Sequence, residues 1–222
     1  MSWAGYAAVI AAFFLTHSVP MRPAVKSQVT ARLGTRGFGL LYSVLSVMML
    51  SLLIWAAGQA PFVQIWPQLH WHRHAAHIGM LLVCVILALS VARPNPFSFG
   101  GVRNSHYDPA HPGITRLTRH PILVALALWA AVHLLPNGDL AHVILFGLLG
   151  GFAVAGRWLI DTRKRRDMGQ GRWHALNTAR QSAPWFQAPQ SWGAVGQRLG
   201  CGLIAFVVIA WAHPYVIGVA VF

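Results

Sequence analysis

Apolar residues fall into six long runs, at about 3–20, 37–57, 74–92, 121–135, 140–160 and 199–221, separated by stretches that collect Arg, Pro, Gly and Asn. A membrane-spanning helix needs about 20 such residues at 1.5 Å each. Five runs reach or approach that length, and the fourth, with about 15 residues, falls short. The pattern predicts an all-α fold, a polytopic membrane helical bundle of about six transmembrane segments, built as one domain over residues 1–222. Between the third and fourth runs, the stretch from Pro94 to Arg119 is rich in Pro, Gly, Asn and Ser and reads as irregular. Residues 168–197 mix basic side chains with Trp185, Phe186 and Trp192, as in a segment lying at the lipid headgroups.

Composition sharpens this picture. The chain is 56% hydrophobic and 9% charged, against roughly 25% charged in soluble domains. Its 17 Lys and Arg face four acids, all Asp, for a formal net charge of +13. In a soluble protein that surplus would suggest nucleic acid. Here membrane topology explains it, and no nucleic-acid partner is expected. All the basic residues except Arg73 lie in or beside the first, third and fifth connections. Those three face the cytoplasm, which puts both termini outside. Cys84 and Cys201 lie within apolar runs without metal-site spacing, and positive charge follows the first apolar run instead of preceding it, unlike a cleavable signal. No carboxylate lies deep in an apolar run, which argues against a proton relay built on Asp or Glu.

The 12 histidines are the unusual feature. His70, His72 and His74, beside Trp66 and Trp71, read as an aromatic belt, although their alternation also resembles an adventitious metal site. His106, His111, His142 and His174 read as solvated. His17, His133 and His213 lie inside apolar helices, and His77 lies a turn inside the third. An imidazole at that depth faces the bundle interior and needs a partner. One interhelical hydrogen bond contributes about 0.6–2 kcal/mol, which explains one such histidine more comfortably than four. Haem iron is the natural consumer of neutral imidazoles on neighbouring helices. His120 and His133 are 13 positions apart, about 20 Å along a helix and on different faces, so they cannot share one iron. His120 instead joins Arg116 and Arg119 at a helix start marked by Pro121, a favourable place for an anion.

The block from Thr118 to Asp139, with Thr-Arg-His-Pro, Leu128-Trp129, His133-Leu134-Leu135 and the Asn137-Gly138-Asp139 turn, resembles the NnrU family of bacterial integral membrane proteins. Leu15-Thr16-His17-Ser18, the elements around Ala31–Ser43, and Arg73-His74 extend the likeness along most of the chain. The resemblance implies a multi-pass protein of the bacterial cytoplasmic membrane, linked to nitrite and nitric oxide metabolism. The family is in turn similar to the membrane-bound zeta-carotene isomerase, which has an equivalent His-Ser element, an Arg-His-Pro, a histidine 13 residues further on and a late Ala-His-Pro like Ala212-His213-Pro214. That enzyme carries haem b, and the likeness implies His17 and His133 as ligands. Where the isomerase has a cysteine before its second ligand, this chain has Ala130-Ala131-Val132, so a cysteine-ligated state is excluded there.

Depth constrains this pair. A first helix that stops at Pro20 would leave His17 near the cytoplasmic face and His133 near the outer one, whereas continuation to about Val25, together with a short fourth segment that dips incompletely, would bring both towards mid-membrane. Depth alone would pair His133 with His74, His77 or His213. Three functions follow as expectations. The leading one is a haem b protein that binds nitric oxide or isomerises a hydrophobic polyene. An S-adenosylmethionine-dependent membrane methyltransferase would use Arg119-His120-Pro121 at the mouth of a hairpin, but lacks the acidic residues such enzymes usually carry. A non-enzymatic assembly factor would use its histidines only to bond helices together.

Overall fold

The computed structural model describes residues 1–221. Its regular elements are α1 (Trp3–Ser18), α2 (Pro23–Gln59), α3 (His70–Ser90), α4 (Pro121–Leu134), α5 (Leu140–Met168), α6 (Gln170–Ser182) and α7 (Trp192–Val216), with three short 3-10 turns. Among the described residues there is no strand, only an isolated bridge between Gln64 and Asp139. Five helices, α1 with its 3-10 extension, α2, α3, α5 and α7, are long and apolar enough to cross a membrane; α4 is apolar but has 14 residues. The chain is a polytopic helical membrane protein. Val47, Met48, Ile204 and Val207 are each more than half exposed, an arrangement that lipid favours and water penalises. Two compact units are present, residues 1–67 with 138–145, and residues 68–137 with those from 146 on.

In the first unit, α1 and α2 form a hairpin. The Ser2 hydroxyl caps α1 by accepting from the Gly5 N–H at 3.1 Å, and the Met1 ammonium donates to the Gln59 carbonyl at 2.7 Å. The first helix does not continue to Val25. It ends at Ser18, passes through a 3-10 turn at Val19–Met21 and restarts at Pro23 after an extended Arg22. Two prolines close together account for this, because Pro20 has no N–H for a continued ladder and Pro23 is preorganised for a first helical turn. The return helix then breaks at Gly34, whose φ of 71° lies in the left-handed region that glycine enters freely. His17 meets Tyr42, about eight residues or 12 Å beyond that break. The early stop at Ser18 is thus the case in which His17 lies towards the cytoplasmic end of its helix, beside Tyr42 and not level with the break. At the other end, Gly138 accepts from the N–H groups of Ile65 and Trp66 at 2.7 and 3.1 Å.

In the second unit, α3 packs against α4 and α7. A Cβ on Gly79 would lie 2.3 Å from Val132 Cγ1, and one on Gly202 would lie 3.2 Å from Ala88 Cβ and the Cys84 carbonyl. Glycine lets these backbones approach, the usual device where lipid removes the hydrophobic drive for helix association. Helix α4 runs antiparallel to α5, with Ala130 beside Gly150 and Leu123 beside Gly156. Its 14 residues cover about 21 Å, short of a hydrocarbon core near 30 Å. The connection before it is irregular apart from two 3-10 turns, as its composition predicts. Asn95, Phe97 and Ser98 of that connection are buried.

Candidate functional site

The first site lies where α4 begins. Arg119 donates from Nε and Nη2 to the two carboxylate oxygens of Asp161 on α5, at 3.2 and 2.5 Å. His120 completes the set, with Nε2 2.9 Å from Asp161 Oδ1 and Nδ1 3.1 Å from Ser98 Oγ. The carboxylate needs a donor and the hydroxyl supplies one, so the network assigns the neutral tautomer with its proton on Nε2. His120 is 2% exposed. Burial depresses its pKa below the usual histidine value. The Asp161 carboxylate opposes this without overcoming it, and the guanidiniums of Arg119 and Arg157 add smaller contributions in the same direction as burial.

Helix α6 closes over this ion pair. Asn177 Oδ1 accepts from Arg180 Nε and Nη2 at 3.2 and 3.1 Å and from Arg119 Nη1 at 3.4 Å. Arg180 Nη1 donates to the Thr115 and Arg116 carbonyls at 2.6 and 3.1 Å, and the Trp173 ring lies under the Arg119 and Arg165 guanidiniums at 5.2 and 4.2 Å. The favourable anion place expected at this helix start is thus filled from within, by Asp161. Both ring nitrogens of His120 are engaged, so it has no lone pair to offer a metal in this arrangement. Ser98, Asn177, Arg180 and Trp173 were not legible as partners, because a distant connection and α6 bring them here.

The second set is the imidazoles within helices. Tyr42 Oη is 3.0 Å from the His17 carbonyl and 3.2 Å from His17 Nδ1. A phenol has one proton. Given to the carbonyl, it leaves the phenolic oxygen to accept from Nδ1–H, and Nε2 of His17 becomes the basic nitrogen. His133 reaches the same state differently, its Nδ1 lying 2.8 Å from the Trp129 carbonyl one turn earlier. A carbonyl only accepts, so Nδ1 holds the proton and Nε2 the lone pair. Trp129 and Phe146 flank this ring, with centroids at 5.0 and 5.3 Å. His77 and His213 repeat the pattern, with Nδ1 2.7 Å from the carbonyls of Arg73 and Val219.

The remaining histidines differ. His72 is buried and its Nδ1 accepts from the Leu69 N–H at 3.2 Å, capping α3. His74 is exposed. Among the described residues no three His, Cys, Asp or Glu side chains form a metal-binding group, so the alternating His70, His72 and His74 do not make one. His111 pairs with Asp108 and His142 with Asp139, both at 2.7 Å.

A bundle of apolar helices, with basic connections and imidazoles held inside its helices, defines an integral membrane protein. The family model described as NnrU protein matches residues 6–221, and the chain belongs to the NnrU family. None of the curated proteins and none of the solved structures matches it.

Proposed function

We propose that this NnrU-family membrane protein binds haem b through His133, and the family resemblance names His17 as a second ligand. The observation that carries the reading is the contact between His133 Nδ1 and the Trp129 carbonyl, which fixes the tautomer, with a compatible arrangement of His17 against Tyr42. Each Nδ1–H is held by a protein acceptor, Trp129 O for His133 and Tyr42 Oη for His17. Each ring therefore directs its basic Nε2 outward from that acceptor. Histidine ligands almost always donate their second nitrogen in this way, which fixes the ring and raises its basicity. A ring held in this way suits a haem ligand, while His120, with both nitrogens used, does not. Bound haem b would supply a one-electron couple and, on release of one ligand, a coordination position for nitric oxide or an alkene. The protein's own part is to keep both imidazoles neutral, oriented and away from water. Linkage to nitrite and nitric oxide metabolism or to polyene isomerisation rests on the family resemblance.

The test is spectroscopic. Protein expressed with haem supplied should show a Soret band and sharp reduced-minus-oxidised bands of a six-coordinate low-spin haem b. His133→Ala should abolish them, and His17→Ala should give a high-spin species. Retention of the low-spin spectrum in His17→Ala with its loss in His77→Ala or His213→Ala would reassign the second ligand. Absence of a Soret band would remove the proposal. A second reading has its own support, since the His17–Tyr42 bond joins α1 to α2 and is what a purely structural histidine would make. In that case His17→Ala lowers stability with no chromophore to lose.

A further inference from the structure

The ion cluster beside α6 leaves two buried donors without acceptors. Trp173 is 2% exposed and its Nε1–H has no partner, and neither does the buried Nε–H of Arg165. The two groups are adjacent, with the Arg165 guanidinium 4.2 Å above the Trp173 ring. A buried donor left unpaired costs about 1–3 kcal/mol, more when it is charged. The charges nearby show the same excess. Asp161 is the carboxylate of the cluster, and its two oxygens are already taken by Arg119 and His120. Asp167 lies near Arg163 and Arg166, not Arg165. Arg180 is occupied by Asn177 and two backbone carbonyls. Positive charge and N–H donors therefore outnumber acceptors at one place, between the basic end of α5 and α6.

We propose that Arg165 and Trp173 form an oxyanion site that takes a phosphate group. A guanidinium offers parallel donors that match phosphate oxygens, and an indole N–H donates to a single oxygen at its edge. Stacking on Trp173 holds the Arg165 plane still, which reduces the ordering cost of binding. The site sits where the apolar part of α5 gives way to the run Arg163-Lys164-Arg165-Arg166, so a phospholipid headgroup and a soluble phosphate present the same chemistry to it. This site does not depend on haem.

The test uses the full chain in phosphate-free maltoside micelles, with tryptophan labelled at the indole nitrogen. Sodium phosphate is titrated at constant ionic strength in one arm. Short-chain phosphatidylglycerol is titrated in the other, against uncharged diacylglycerol. Binding should move one indole N–H resonance downfield saturably, and that resonance should be absent in Trp173→Phe. Trp173→Phe, which keeps the ring under Arg165, and Arg165→Gln should each weaken binding about tenfold, the loss of one charge-assisted hydrogen bond. Arg163→Gln, with the same change of charge, should not. Saturation in the phosphate arm assigns a soluble oxyanion, and saturation only in the lipid arm assigns a headgroup. No saturation in either arm overturns the proposal, as does equal weakening in Arg163→Gln or full affinity in Trp173→Phe. Should Trp173→Phe fail to fold, the wild-type indole shift and Arg165→Lys, which keeps the charge but loses Nε, decide the matter.

Discussion

Arg119 and Asp161, 42 positions apart, meet through two nitrogens and two oxygens, and His120 donates to the same carboxylate from the next position in the chain. This contact ties the start of α4 to α5. It also explains how a helix too short to span by itself is held in place, with one end anchored by charge and its flank by the small residues opposite Leu123 and Ala130.

Asp161→Asn should expose how much this anchor contributes. The substitution leaves a buried imidazole and a partly buried guanidinium without their acceptor charge. Removing one member of such a pair costs about 3–5 kcal/mol when fully buried. Arg119 keeps a quarter of its side chain exposed, so about 2–3 kcal/mol is expected here. The midpoint of thermal unfolding in detergent reports it. Arg119→Leu combined with Asp161→Leu should lose less than the sum of the single variants.

Acid should weaken the same region. The folded state holds His120 neutral with its pKa below the ordinary value, so below about pH 6.5 the unfolded chain binds more protons than the folded one. The stability this residue contributes is complete above that pH and is lost as pH falls towards and through the folded pKa. Melting temperatures measured from pH 8 to pH 5 should fall more steeply for the wild type than for His120→Gln. Parallel curves for the two proteins would refute the assignment.

Gly79→Ala should disturb α3 against α4. The new methyl group would meet Val132 Cγ1 at 2.3 Å, a clash that requires a helix to shift. Overpacking of this kind costs about 1–3 kcal/mol. Val132→Ala in the same chain should restore most of the loss, a rescue that a helix-propensity effect would not produce, since alanine favours the helix over glycine.

Tyr42→Phe separates the two readings of His17. It removes the acceptor for Nδ1–H and the donor to the His17 carbonyl, while keeping the ring that stacks on Phe38 at 6.0 Å. Stability should fall by about 1–2 kcal/mol. If His17 ligates haem, affinity should also drop about tenfold or more, the usual effect of losing a ligand's supporting hydrogen bond. A titration of haem into apoprotein measures the second effect independently of the first.

The helical, membrane-embedded class was legible because hydrocarbon leaves the backbone few alternatives, so runs of apolar residues translate almost directly into helices. The short fourth segment, the irregular connection from Pro94 to Arg119 and the Asn137-Gly138-Asp139 turn were readable for the same local reasons. The end of α1 was not. Pro20 and Pro23 both allow a stop, and only the packing of His17 on Tyr42 shows how far along α2 that stop falls.

Tertiary structure decided what His120 and His17 do, whereas His133 takes its partner from one turn earlier in its own helix. His120 and His133 belong to one short apolar stretch and have the same intrinsic chemistry, yet one spends both nitrogens on Ser98 and Asp161, and the other keeps Nε2 basic by donating its Nδ1–H to the Trp129 carbonyl. The sequence by itself determined that imidazoles would lie inside helices and that basic residues would gather in a few connections. Which nitrogen of His120 carries the proton, and which carboxylate answers Arg119, depends on groups up to 42 positions away, and such partners are selected by distance in space, which a linear pattern does not encode.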